Sequence, residues 1–161
     1  MVIIESDDRK IKIRNEVLKE IYNFLQITNF DTEAGGILIG RENRGNQNII
    51  IEYSTNPMQE DVRSRTRYFR KDPGHVEYYK KLYDENNEIY AYYGEWHTHP
   101  EEYPSYSSID LDNWNSIAKR DPKEAQYHII AARQSFAMWK MKKGRIVPKR
   151  VGEVKWNEIA F

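Results

Sequence analysis

The feature that most restricts this chain is a strand that runs into two histidines. Glu88-Ile89-Tyr90-Ala91-Tyr92-Tyr93 leads directly into Gly94-Glu95-Trp96-His97-Thr98-His99-Pro100. Aromatic and β-branched residues in such a run read as a strand. Residues two apart on a strand point to one face, so His97 and His99 aim two imidazoles at a common point. Downstream, Asp110 in Ser107-Ser108-Ile109-Asp110 can return a carboxylate to the same point. Two imidazoles and one carboxylate suit zinc, and they leave a fourth tetrahedral position for water.

The rest of the chain supplies strands and helices in alternation. Met1–Ile4 and Lys10–Arg14 read as short strands around an Asp-Asp turn. Asn15 is expected to cap a helix over residues 16–27, on which Val17, Leu18, Ile21, Phe24 and Leu25 repeat at helical spacing. Ala34–Gly40 is almost continuously apolar, as expected of a central strand buried on both faces. A turn-rich segment then leads to a returning strand at Ile49–Tyr53. Ser54–Ser64 reads as a surface loop and Arg65–Arg70 as a strand. Pro73 opens a helix over residues 74–85. Ser107 or Ser108 caps the helix that carries Asp110, Leu111, Trp114 and Ile117. Gln126–Ala132 and Phe136–Met141 pair as a hairpin, and Val147–Trp156 adds a last strand. This order predicts an α/β (mixed α+β) fold, a mixed sheet with helices packed on it.

Composition sets bounds on function. A chain of 161 residues is expected to form one domain, residues 1–161. Hydrophobic content is only 39%, but 12 Tyr, 5 Phe and 4 Trp provide large surfaces to bury. Lys+Arg and Asp+Glu number 25 each, so bulk charge gives no argument for nucleic acid or an anionic membrane as partner. No apolar run approaches the roughly 20 residues of a membrane span. The first residues lack the basic and apolar segments of a signal peptide. There is no Cys, hence neither a disulfide framework nor a Cys-based zinc ribbon. The expectation is a cytoplasmic protein.

The pattern His97-x-His99-Pro100 followed by Ser107-x-x-Asp110 resembles the JAMM (MPN-plus) metalloprotease motif. Glu33, in Thr32-Glu33-Ala34-Gly35-Gly36-Ile37-Leu38-Ile39-Gly40, fits the upstream glutamate of that family. The resemblance implies a curved mixed sheet flanked by helices, cytidine-deaminase-like in outline, with one Zn2+. It assigns His97, His99 and Asp110 as ligands, Glu33 as general acid/base and Ser107 as oxyanion stabiliser. A carboxylate against an apolar sheet should titrate high through desolvation, which suits a group that takes and returns a proton. Ser107 and Asp110 also read as a capping box with Asp in place of Glu, and a cap can fix the very Asp that binds metal.

The compact form is similar to bacterial JAMM peptidases that accompany E1/E2-like ligation enzymes, in antiphage (CBASS) or ubiquitin-like conjugation operons. The partner so implied is a protein with an extended C-terminal tail, either a ubiquitin-like protein or a conjugated nucleotidyltransferase. Processing of a sulfur-carrier or ubiquitin-like precursor and a non-catalytic scaffold are the alternatives. Scaffolds typically lose ligands, and none is missing here. A zinc nucleoside deaminase needs Pro-Cys-x-x-Cys, which a chain without Cys cannot supply. Arg63, Arg65 and Arg67 would share one face of a strand: either a charged guard on a sheet edge or a docking strand for a substrate tail, read by Arg65 and Arg67. His75 and His128 have no partner at ligand spacing and are expected to be structural. Trp96 and Trp114 are expected to be core walls.

Overall fold

The computed structural model describes residues 1–161. Ten strands and three α-helices follow one another as β1 (Val2–Ser6), β2 (Arg9–Ile13), α1 (Asn15–Asn23), β3 (Gly35–Glu42), β4 (Ile49–Ser54), β5 (Val62–Ser64), β6 (Arg67–Phe69), α2 (Gly74–Glu85), β7 (Ala91–Thr98), α3 (Ser108–Arg120), β8 (Ala125–Ala131), β9 (Ser135–Lys142) and β10 (Lys149–Lys155). Eight strands form one curved mixed sheet in the order β1-β2-β4-β3-β7-β8-β9-β10. Only β2–β4 and β7–β8 run parallel. The sheet curls far enough that Gly152 of β10 meets Ile4 of β1, and a Cβ there would stand 2.9 Å from the Ile4 side chain.

Each face is sealed by the apolar stripe of a helix. On the inner face, Val17, Leu18 and Ile21 of α1 pack with Ile11, Ile13, Ile51, Trp96 and Phe136. On the outer face, Trp114, Ile117 and Ala118 of α3 cover Ile130, Ala137, Trp139 and Met141. Tyr79 and Leu82 of α2 lie over Ile37, Ile39 and Tyr90. Central β3 is buried along almost its whole length, as its unbroken apolar run requires. No helix is long and apolar enough to cross a membrane.

Three expectations need correction. Arg14, not Asn15, occupies the N-cap of α1. Asn15 lies inside the helix and donates its side-chain amide to the Ala160 carbonyl at 2.9 Å. The helix also stops at Asn23 rather than residue 27. Gln26 is pulled out of helical register because its buried amide donates to the Arg65 carbonyl at 2.7 Å and accepts from Thr98 Oγ1 at 2.9 Å. Finally, the basic segment is not one strand. Val62–Ser64 and Arg67–Phe69 form a separate two-stranded hairpin, with Arg65 and Thr66 in its turn. Arg65 and Arg67 therefore do not share a strand face.

Candidate metal centre

The centre sits where β7 ends and α3 begins. β7, α3 and β8 form a parallel crossover, and the carboxyl end of a strand in such a unit opens onto the start of its helix. His97 is held in the middle of the sheet, opposite Gly35 of β3 and Ile130 of β8. His99 lies one residue beyond β7 and donates its N–H to the Ala131 carbonyl at 3.0 Å. The two Nε2 atoms end 3.0 Å apart.

Asp110 is placed by local capping. Ser107 Oγ accepts from the Asp110 N–H at 3.1 Å, and Asp110 Oδ2 accepts from the Ser107 N–H at 2.8 Å. This reciprocal pair satisfies two orphan donors and locks the Asp rotamer. The carboxylate then lies with Oδ1 3.1 Å from His97 Nε2 and Oδ2 3.2 Å from His99 Nε2. One ligand atom from each of His97, His99 and Asp110 falls within 4.8 Å of the others. Ligands of a tetrahedral zinc ion at bond lengths of 2.0–2.1 Å stand about 3.3–3.4 Å apart. The donor set and its convergence therefore fit a zinc ion with one coordination position open.

Register delivers Glu33 to the edge of this cluster. Pairing of Gly35 with His97 puts Glu33 two residues before the start of β3, and the Thr98 N–H to Ala34 carbonyl bond at 2.9 Å extends the pairing to the edge of the site. Glu33 Oε1 stands 3.9 Å from His99 Nε2. Burial pushes the Glu33 carboxyl up to about 6, against the pull of the His97 and His99 imidazoles. The neighbouring hairpin grips the residue by its backbone. The Glu33 N–H donates to the Ser64 carbonyl at 2.8 Å, and its carbonyl accepts from Arg63 Nε at 2.7 Å.

Three supporting residues were not legible in the motif. Glu101 Oε1 lies 3.0 Å from His99 Nδ1 and is held by the Ser105 N–H at 2.8 Å. A carboxylate on the far nitrogen keeps the proton on Nδ1 and turns the Nε2 lone pair toward a metal. Its position two residues past His99 was the available signal. Burial disfavours the charged His99, but Asp110, Glu33 and Glu101 together bring it to about 9. A ligating imidazole surrenders that proton, so metal uptake competes with protonation here. Arg70 and Tyr92 converge on buried Glu95, through Arg70 Nε at 2.7 Å and the Tyr92 hydroxyl at 2.6 Å. A bulge between the pairs Leu38–Gly94 and Ile39–Tyr92 skips Tyr93.

Two hollows adjoin the ligands. One, of about 430 Å³, is bounded by Arg67 and Phe69 of β6 and by Asn113, Ile117 and Arg120 of α3. The other, of about 220 Å³, is bounded by Glu33, His99, Glu101 and Ser107. Arg67, Ile109 and Asp110 border both. A roomier hollow of about 700 Å³, between α3 and Lys143–Ile146, touches none of the metal-site residues.

Trp96 and Trp114 are buried walls, as expected, and they stand on opposite faces of the sheet. His128 is buried, accepts the Glu95 N–H on Nδ1 at 3.0 Å, and stacks on Trp114 with ring centroids 4.8 Å apart. His75 is also buried, and its ring bonds to Thr55 and Asp61 rather than to any of the ligands.

The fold and the His97, His99 and Asp110 cluster point to a JAB-type domain, and the comparisons agree. Residues 15–142 match the family of prokaryotic homologs of the JAB domain, and the chain belongs to that family. Among characterised relatives, it is 40% identical over 114 residues to the CD-NTase/cGAS isopeptidase of Escherichia coli strain TW11681, covering 71% of this chain and 72% of that one. It is 30% identical over 145 residues to the protein of the same name from Vibrio cholerae, covering 90% and 89%. The solution structure of DSY2949 from Desulfitobacterium hafniense shares the fold, with a TM-score of 0.55 at 19% identity over 90% of each chain.

Proposed function

We propose that this chain is a zinc-dependent isopeptidase that frees a nucleotidyltransferase of the CD-NTase/cGAS type from proteins to which its C-terminal tail is joined. The observation that carries the reading is the convergence of His97, His99 and Asp110 beside buried Glu33. Its support from comparison is the 30–40% identity to relatives named CD-NTase/cGAS isopeptidase. A conjugated ubiquitin-like protein is the second substrate class to assay, because any extended C-terminal tail presents the same backbone. A cytoplasmic site of action is part of the proposal, and cell fractionation tests it.

Zinc, when bound by His97, His99 and Asp110, supplies Lewis acidity that lowers the pKa of a water to about 7 and polarises the scissile carbonyl. Glu33, poised at about 6, accepts the proton of the attacking water and returns it to the leaving amine. Its carboxylate oxygen lies 3.9 Å from the nearest ligand nitrogen, leaving it outside the ligand set and available for this exchange. Ser107 Oγ accepts from the Asp110 N–H, so its own O–H proton is left to donate to an oxyanion. Glu101 orients His99.

The tail would lie in the hollow between β6 and α3. β6 pairs only with β5, so its other edge offers free backbone groups to an added strand. Arg67 and Arg120 flank that path and favour acidic groups on the tail. Cleavage of such a conjugate, followed by mass spectrometry of both products, tests the reading. The expected products are a free C-terminal carboxylate and a free amine. Hydrolysis that continues undiminished in Glu33→Ala contradicts the role of that residue.

A further inference from the structure

Behind the metal centre lies a second polar constellation that the proposed chemistry does not use. Thr55 Oγ1 stands 2.5 Å from His75 Nδ1, and His75 Nε2 stands 2.7 Å from Asp61 Oδ2. The order hydroxyl, imidazole, carboxylate is that of a nucleophile relay. Here it is sealed: Thr55 is 3% exposed and His75 0%. Thr55 Oγ1 also accepts the Ile37 N–H at 2.9 Å, which fixes the hydroxyl in place against the sheet. The constellation therefore works through what it holds.

Asp61 gathers five donors. Oδ1 accepts the N–H groups of Lys71 and Asp72, each at 2.9 Å. Oδ2 accepts the Met58 N–H at 2.9 Å, the Tyr68 hydroxyl at 2.7 Å and His75 Nε2 at 2.7 Å. Burial alone would raise this carboxyl, but the Asp72 and Met58 N–H groups, Tyr68 and His75 hold it well below the usual carboxylate range. With Nε2–H given to Asp61, His75 Nδ1 accepts the Thr55 hydroxyl. Thr55 ties this chain to the sheet, since its carbonyl accepts the Trp96 indole N–H at 2.9 Å.

At its other end the chain reaches Glu33. Tyr68 gives its hydroxyl to Asp61 and pairs across the hairpin with Arg63, which together with Ser64 holds the Glu33 backbone. Its ring lies so close to Gly35 that a Cβ there would collide with it. One buried line thus runs from the strands that deliver His97 to the hairpin strand that touches Glu33.

We propose that Thr55, His75 and Asp61 are positioning residues: they hold Tyr68 and the hairpin it belongs to, and through Arg63 and Ser64 of that hairpin they set the position of Glu33. The inference rests on the reading of Glu33 as acid/base. None of the three touches His97, His99 or Asp110, and zinc content separates an effect through the hairpin from one passed to His97 through Thr55 and Trp96.

The test uses the zinc-loaded protein and the variants His75→Phe and His75→Gln. The Gln amide restores a donor toward Asp61; Phe restores none. Three quantities are read: kcat and KM on a tailed conjugate, zinc content, and amide hydrogen exchange over residues 62–70 and at Glu33. His75→Phe should lower kcat at least about tenfold, as small misplacements of a reacting group do. KM and zinc content should hold within about twofold, far less than a lost ligand would cost. Exchange at Glu33 and across the hairpin should accelerate, and His75→Gln should recover most of each loss. Unchanged kcat in His75→Phe, whether melting temperature or exchange alters, overturns the proposal. If His75→Phe fails to fold, Tyr68→Phe removes only the hydroxyl and is judged on the same readouts. If wild-type protein cleaves no conjugate, the proposed function fails. The exchange readout then still decides whether the buried line holds the hairpin against Glu33, and unchanged exchange overturns it.

Discussion

The two sides of the metal centre are built in different ways. On the α3 side, the pieces come from one continuous stretch. β7 ends in the histidines, and Ser107 and Asp110 cap each other within a single turn. On the hairpin side, Glu33 is held by residues some thirty positions away, namely Arg63 and Ser64. That hairpin has exposed arginines, and its Val62 and Phe69 are exposed too, so it buries little apolar surface. It is fixed instead by buried hydrogen bonds through Asp61 and by the Arg70–Glu95 pair. Local geometry can place a ligand with few residues. A carboxylate outside the His97, His99 and Asp110 cluster, such as Glu33, is placed by a long-range scaffold instead.

The sharpest way to break this comparison is to remove one member from each side. Asp110→Ala should abolish both zinc binding and cleavage, whereas Glu33→Ala should abolish cleavage and keep zinc. Metal analysis beside a cleavage assay separates the two, and loss of zinc in both variants would erase the distinction. A second test concerns how α3 is seated. His128, stacked beneath Trp114, is pushed down to about 3, chiefly by burial. Unfolded, it titrates near 6.5, so between these values the unfolded chain binds one more proton. Stability should therefore fall as pH drops from about 6.5 toward 3, by at most about 1.4 kcal/mol per pH unit. In denaturant titrations of chelated protein, His128→Leu should flatten that slope. An unaltered slope would show that His128 is not the group responsible.

The α3 side is legible from the motif alone, because ligand spacing and capping are both local codes. His97, His99 and Asp110 converge as their spacing implied, and Glu33, singled out by the family resemblance, lies 3.9 Å from His99 Nε2. The strands and helices were legible too, since burial imposes its periods on the apolar residues. What escaped was long-range. Arg65–Arg70 reads as one alternating strand, yet the chain turns at Arg65 and Thr66. Nothing local marks that turn, because it is decided by Asp61 and Glu33. Asn15 looks like a cap, but Arg14 takes that place and Asn15 is drawn to the C-terminal segment. His75 looks like an ordinary helix-start residue, and only its partners, 14 and 20 positions away, reveal its place in the line.

Smaller perturbations sharpen the same contrast. Ser107→Ala removes both a cap and an oxyanion donor. It should lower kcat by about 10²–10³ and helix stability by about 1 kcal/mol. A drop in stability with full activity would leave Ser107 as a cap alone. Glu101→Gln should weaken zinc affinity about 10–100-fold with little change in kcat at saturating zinc, read by competition with a chelator. The mildest test is charge reversal at Arg65 and Arg67. Exposed charges contribute about 0.2–1 kcal/mol each, so KM for an acidic tail should rise about twofold to thirtyfold while kcat holds. Unchanged KM would remove these arginines from tail recognition.

The central claim is that a metal held by His97, His99 and Asp110 drives cleavage after a conjugated tail. The most direct measurement is the rate of release of a CD-NTase-type protein from a lysine-linked conjugate, followed before chelation, after chelation and after stoichiometric zinc is restored. The account predicts that release stops on chelation, returns with zinc, and does not return in Asp110→Ala. Release that persists through chelation, or zinc rescue of Asp110→Ala, would contradict it.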